Sequence, residues 1–373
     1  MSVSRRRFVK SLACSGAILA APALLTPTAS AASGARKPRA REAAHYDKLG
    51  ARTVSCRLCP HRCRVADRGR GTCGARENRG GTYSTLVYGQ PSAVHVDPIE
   101  KKPMFHYFPG SRALSLATAG CNFSCRFCQN WEISQRRPEE VRTIDLMPEA
   151  AMRLARRENC RSVAHTYNEP VIAFEYVRDC AASGREQGVP NIMISNGFIE
   201  KEPMRELCRF LGAVKIDLKA FSETFYREQC GGGLKPVLDT LLTVRAEKTW
   251  LEVVVLIIPG LNDSRRETEA MCRWLARELG PDVPVHFSRF APGYMLKNVP
   301  PTPPATLQQA RRIALDAGIR FCYVGNLLSD AEHTYCPSCG KVLLRRLMYS
   351  VENQGLLDGR CRFCRTAIPG VFS

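Results

Sequence analysis

The chain has 373 residues, 45% of them hydrophobic, and a formal net charge of +19. That length has room for one large domain with satellites, and the ordinary apolar fraction excludes a fibrous or disordered polypeptide. The charge sits on arginine-rich helix faces such as Arg153-Leu-Ala-Arg-Arg157, not on a basic stripe interleaved with aromatics, so it specifies no nucleic-acid partner.

The chain opens on a targeting pattern. The first ten residues hold four of the positive charges (Arg5, Arg6, Arg7, Lys10), leaving +15 on the rest. Ser4-Arg-Arg-Arg-Phe-Val-Lys10 matches the twin-arginine signal, and Ala29-Ser-Ala31 reads as a small-residue cleavage site. The apolar stretch between them, Ser11 to Leu25, is short and broken by Pro22, so no transmembrane span is expected. Residues 1–31 are therefore expected to be an export leader, carrying the folded protein to the periplasm or the outer face of the membrane. The alternative setting is cytoplasmic. Residues 32–51, rich in Arg, Lys and Ala, read as a linker.

Residues 52–105 form a cysteine-rich segment. Cys56-Arg-Leu-Cys59-Pro-His-Arg-Cys63 is followed by Cys73 in a Gly-rich turn. Four cysteines so close, separated by Gly and polar residues, cannot build a core, and a bound metal supplies folding energy that burial does not. Zinc and an iron–sulfur cluster both suit the group, and His61 can replace one thiolate.

Residues 106–328 alternate strand-like and helix-like runs, the pattern of a parallel α/β architecture. Strands are expected at 113–119, 162–165, 191–195, 213–217, 251–257, 285–289 and 321–324. Helices are expected at 148–156, 171–187, 202–211, 234–246, 265–279 and 306–317. Directly after the first strand comes Cys121-Asn-Phe-Ser-Cys125-Arg-Phe-Cys128. Structural zinc favours two separated C-x2-C pairs, and disulfides belong to small secreted domains in oxidising compartments. Three thiolates in eight residues suit a [4Fe–4S] cluster in which three irons are held and the fourth is open. The other strand ends carry Thr166-Tyr-Asn168-Glu169-Pro170, Ser195-Asn196-Gly197 and Asp217-Leu-Lys219, and His286 lies inside the sixth strand. Taken singly, these are a helix cap, a turn, an ion pair in need of a partner, and a core histidine. Cys160, Cys180, Cys208, Cys230, Cys272 and Cys322 sit in apolar or helical contexts and read as buried free thiols.

The last module, residues 329–373, holds Cys336-Pro-Ser-Cys339 and Cys361-Arg-Phe-Cys364, separated by residues 340–360. Leu343-Leu344 and Leu347 to Val351 between them look like hairpin strands. Two such knuckles form a zinc-ribbon pattern, whose expected role is to cap the main domain.

The C-x3-C-aromatic-C loop after a first strand resembles the signature of the radical S-adenosylmethionine superfamily, with Phe127 in the aromatic slot. Val96-Asp-Pro-Ile-Glu-Lys-Lys-Pro103, Cys128-Gln-Asn-Trp131, Thr166 to Pro170, Ile258-Pro-Gly-Leu-Asn-Asp263, Tyr323-Val-Gly-Asn326 and the terminal ribbon are similar to the radical enzymes of the AmmeMemoRadiSam system, relatives of pyruvate formate-lyase activating enzymes. The resemblance spans about residues 54–373 and implies a partial (βα)6 barrel. It implies that Cys121, Cys125 and Cys128 hold the cluster, and that Asn168, Glu169, Asn196, Asp217, Lys219 and His286 contact S-adenosylmethionine. It also implies a low-potential donor such as flavodoxin or ferredoxin, and a substrate that is a protein residue such as a glycine. The implied chemistry is reductive cleavage of the cofactor to a 5′-deoxyadenosyl radical that abstracts hydrogen. The competing class is a non-catalytic iron–sulfur and zinc protein for electron transfer or interaction. It predicts a fourth cysteine close to the three. A third reading is an exported redox protein with paired cysteines.

Overall fold

The computed structural model describes residues 39–373, so the expected leader (1–31) and the start of the expected linker lie outside the described residues. Eight strands make the central sheet: β1 (Ala93–Pro98), β2 (Arg112–Ala117), β3 (Ser162–His165), β4 (Asn191–Ser195), β5 (Ala213–Asp217), β6 (Trp250–Ile257), β7 (Val285–Arg289) and β8 (Cys322–Gly325). Their order in space is their order in the chain. β1 runs antiparallel to β2, whereas β2 to β8 are parallel throughout.

Each parallel crossover carries a helix: α1 (Pro148–Arg157), α2 (Phe174–Glu186), α3 (Lys201–Cys208), α4 (Leu234–Ala246), α5 (Arg265–Leu279) and α6 (Pro304–Asp316). Six βα units and a seventh parallel strand thus form the expected barrel, open where β1 and β8 end the sheet. The local reasons are plain. Every residue of β3 and β4 is buried, as parallel strands covered on both faces must be. In α5, Ser264 caps the Glu267 amide, and Thr268, Met271, Cys272, Leu275 and Leu279 form one buried stripe at helical spacing. Strand β1 escaped the sequence reading because His95, Asp97 and Pro98 interrupt its apolar positions. It draws into the barrel sheet residues that had been assigned to the cysteine-rich segment.

The expected linker is partly wrong. Arg41–Glu42 pairs with Thr82–Thr85, and Tyr46–Leu49 pairs with Thr53–Cys56. Tertiary partners hold this stretch: Arg41 bonds Asp179 at 2.6 Å, and the Ala44 amide donates to Glu175 at 2.7 Å, both acceptors on α2. The cysteine-rich segment also has a core after all. Cys56, Leu58, Cys59, Val65, Ala75 and Tyr83 are buried in continuity with the barrel interior. Burial is shared with the barrel, so local composition could not show it.

At the other end, Val342–Leu347 and Ser350–Asn353 form the ribbon hairpin. Its turn falls at Met348–Tyr349, inside the run expected to be the second strand. His106 bridges ribbon and barrel: Nδ1 donates to the Pro369 carbonyl at 2.6 Å, and Nε2 accepts from the Tyr323 hydroxyl at 2.5 Å. Arg346 is buried beside it, donating to the Phe105 carbonyl at 2.8 Å with its guanidinium 4.0 Å over the Phe105 ring.

Candidate functional site

The carboxyl ends of the strands surround a cavity of about 750 Å³. Ligand sites in parallel barrels gather at this end, and the volume lies within the usual range for small-molecule pockets. Cys121, Cys125 and Cys128 line it together with Asn168, Glu169, Asn196, Asp217, Lys219 and His286. All nine residues singled out from the sequence therefore open onto one space, although they span 166 positions of chain.

The loop after β2 is braced from several directions. Gly120, at φ +96°, makes the turn out of the strand, and its amide donates to the Ile133 carbonyl. Asn168 Nδ2 donates to the Gly120 carbonyl at 2.9 Å, and Asn196 Nδ2 donates to Asn122 Oδ1 at 2.9 Å. The Ser124 and Arg126 amides donate to the Cys230 and Gln229 carbonyls. The side chains of Asn168 and Asn196 thus hold the cysteine loop itself, a role that residue spacing does not reveal.

Cys230 was read as an ordinary core thiol. It is buried, but its side chain hydrogen-bonds Cys125 and holds that thiol below its ordinary range. It is a fourth cysteine close to the three, as the non-catalytic reading expects, but it is absent from the cavity wall that carries the other thiols. Cys128 faces the Ser134 hydroxyl at 3.1 Å. The other five assigned core thiols are buried as expected.

The charged groups form a second layer. Asp217 is flanked by Lys215, to which it bonds directly, and by Lys219 at 3.0 Å. Burial alone would raise its carboxyl, but the two ammonium groups pull it down to about 2. The partner sought for Lys219 is therefore already present in the chain. Glu169 accepts from the Ser195 hydroxyl, the Asn196 amide and the Val171 amide, at 2.7, 2.7 and 3.0 Å. Burial, helped by the charge of Asp217, pushes its carboxyl up to about 7. Glu169 is thus both a cap for the turn entering α2 and a wall of the cavity. His286 donates Nε2 to Glu252 at 2.8 Å, so its core role and its place on the cavity wall coexist.

Several site residues were missed. Glu252 is fully buried and accepts from the Phe105 and His106 amides, both at 2.9 Å, as well as from His286. Its burial would raise the carboxyl, but the His286 bond prevails and lowers it. Glu100, Lys101, Lys102 and Pro103 line the same cavity, with Lys102 paired to Asp97. Glu100 to Pro103 lie in the Val96–Pro103 run that carries the family resemblance, but nothing in that run marked them as facing the cavity. Leu328, Met348 and Tyr349 form the opposite lip, and they are 67%, 64% and 47% exposed.

The terminal cysteines converge. Cys336 and Cys364 lie 3.5 Å apart, Cys339 and Cys361 3.6 Å apart, and all four sulfurs are within 4.8 Å of one another. This set can hold one metal ion. The first group, Cys56, Cys59, Cys63 and Cys73, also comes together, each thiol within electrostatic reach of the others. His61, between Cys59 and Cys63, donates its Nε2 to the Asn122 carbonyl at 2.7 Å, and its ring packs on Phe198. Among the described residues no helix is long and apolar enough to cross a membrane.

The family model of the radical SAM superfamily matches residues 115–275. The chain is similar to the uncharacterized protein MJ0808 of Methanocaldococcus jannaschii, with 40% identity over 87% of this chain and 97% of that protein. It is also similar to the pyruvate formate-lyase 1-activating enzyme of Escherichia coli (strain K12), with 26% identity over 42% of this chain and 64% of that enzyme. A solved domain of the pyruvate-formate lyase-activating enzyme from Bacteroides vulgatus is similar over 44% of this chain and 99% of its own, with 19% identity and a TM-score of 0.40.

Proposed function

The chain belongs to the radical S-adenosylmethionine superfamily and is related to the pyruvate formate-lyase activating enzymes, and on that premise we propose that it generates a 5′-deoxyadenosyl radical for hydrogen abstraction from a protein residue. One observation carries the reading: the three cysteines of the loop and six polar strand-end residues share one cavity of about 750 Å³. The donor set fits the family's group, since three thiols line the cavity and Cys230 does not. Cys121, Cys125 and Cys128 would hold three irons of a [4Fe–4S] cluster. When bound, that cluster together with S-adenosylmethionine supplies the reductive cleavage that makes the radical.

The chain's own groups do the positioning. Asn168 and Asn196 hold the start of the loop, and the Cys230 and Gln229 carbonyls hold its middle, so the three thiols keep their aim. Asp217 between two lysines presents a fixed charge pattern to a zwitterionic ligand. A protein substrate suits the lip formed by Leu328, Met348 and Tyr349, because exposed apolar side chains at a cavity mouth favour a macromolecular partner over a small polar one. The electron comes from a low-potential donor of the flavodoxin or ferredoxin class. We assign zinc to the four terminal thiols, and export to the twin-arginine pattern at residues 1–31.

The test is anaerobic reconstitution with iron and sulfide, followed by dithionite and S-adenosylmethionine. 5′-Deoxyadenosine should form, and Cys125→Ala should abolish it. An equal yield from that variant would sink the assignment.

A further inference from the structure

The cysteine group nearest the amino terminus is not used by the chemistry above, yet it is built against the catalytic loop. A virtual Cβ on Gly120 would lie 2.5 Å from the Cys73 carbonyl, so the backbone before Cys121 touches the backbone at Cys73. His61, between Cys59 and Cys63, donates to the Asn122 carbonyl one residue past Cys121. The Leu58 carbonyl accepts from the Glu200 amide, just beyond the Asn196 that braces the same loop. The group reaches from a half-exposed Cys63 to this buried contact.

Two observations bear on what the four thiols hold. The first is their spacing. Among the described residues, the terminal cysteines alone bring three or more ligand atoms within 4.8 Å of one another. A single tetrahedral ion with metal–sulfur bonds of about 2.3 Å needs that closeness. Cys56, Cys59, Cys63 and Cys73 do not meet it, nor do Cys121, Cys125 and Cys128. A cubane sets its ligand sulfurs wider than one ion does, because each thiolate binds a different iron.

The second observation is an unmatched N–H on a buried cation. Arg76 is 1% exposed, donating Nε to the Ile172 carbonyl at 3.2 Å and Nη2 to Glu175 at 2.7 Å, while its Nη1 has no partner. Its charge acts on Cys56 and Cys73. A buried N–H left unmatched costs about 1–3 kcal/mol, and anionic cluster sulfur is the acceptor this position lacks.

We propose that Cys56, Cys59, Cys63 and Cys73 hold a second iron–sulfur cluster, seated against the loop of the first and hydrogen-bonded by Arg76. This site rests on its own residues and stands whether or not the cavity cleaves S-adenosylmethionine. The deciding protein is the full-length triple variant Cys121→Ala/Cys125→Ala/Cys128→Ala, reconstituted anaerobically with iron and sulfide and assayed for iron, sulfide and zinc. About half of the parent's iron should remain, as about four irons with matching sulfide. Adding Cys63→Ser, at the half-exposed ligand, should remove that iron and leave the zinc. The reduced parent should show magnetic broadening between neighbouring clusters in its electron paramagnetic resonance spectrum, absent from the triple variant. A triple variant with no iron and two zinc ions overturns the proposal. If the triple variant does not fold, Cys63→Ser in the parent decides: halved iron supports the second cluster, and unchanged iron overturns it.

Discussion

At the scale of single residues, the site depends on a few positions whose importance comes from what they touch. Gly120 combines a positive φ with the 2.5 Å approach to the Cys73 backbone, and a methyl group there meets a carbonyl that cannot swing aside. Gly120→Ala should cost about 2 kcal/mol or more and lower cluster content; a urea midpoint equal to the parent's would contradict this. His106 is different, because its burial draws its imidazole down to about 4. The neutral ring accepts from Tyr323, and a protonated ring cannot. Its folded value lies below the unfolded one, so its contribution is present above about pH 6.5 and is lost as the pH falls toward 4. The shift corresponds to about 3 kcal/mol across that window. Urea unfolding at pH 7 and pH 5 should show the drop, and His106→Gln should flatten part of it. A variant slope identical to the parent's would remove His106 as the cause.

At the scale of elements, the seven parallel strands and their helices were legible because they obey simple periodicities. β3, β4, β5 and β7 have the limits expected from their apolar runs, as do helices α4 and α5. The misses have two causes: β1 lacks a continuous apolar run, and the stretch from Arg41 is held by partners far along the chain, Asp179 and Glu175. The ribbon was visible as a pair of knuckles, but its attachment through Arg346 and His106 was not. Cys361→Ser should reduce zinc by one per chain and loosen the hairpin, seen as faster proteolysis near Met348; full zinc in that variant would overturn the metal assignment. Arg346→Ala removes a buried cation that satisfies the Phe105 and Glu332 carbonyls. It should destabilise the chain by about 3 kcal/mol, and a change under about 0.5 kcal/mol in denaturant unfolding would show that the junction is held by other contacts.

At the scale of the molecule, the barrel and the ribbon meet around the cavity, and the amino-terminal cysteine segment packs against the loop that carries Cys121. The positive charge is then a property of the surface and bears on the approach of a reductant. An acidic flavodoxin or ferredoxin should reduce the protein faster at low salt, with the rate falling severalfold between about 0.05 M and about 0.3 M. Stopped-flow reduction measures this directly, and a rate independent of salt would argue against electrostatic steering.

The sequence by itself determined the βα alternation and the three cysteine groups, whereas the six polar residues that share the cavity with Cys121, Cys125 and Cys128 were implied by the family resemblance. Apolar periodicity and ligand spacing are local, and both survive in a linear string. Only the tertiary structure decided how those residues are used. Asn168 and Asn196 hold the cysteine loop, Lys219 finds its counter-ion in Asp217, Cys230 bonds Cys125, and Arg76 keeps a buried N–H unmatched while its charge acts on Cys56 and Cys73. These relations join residues up to about a hundred positions apart, and they exist only where packing excludes water and leaves each polar group a fixed choice of partner.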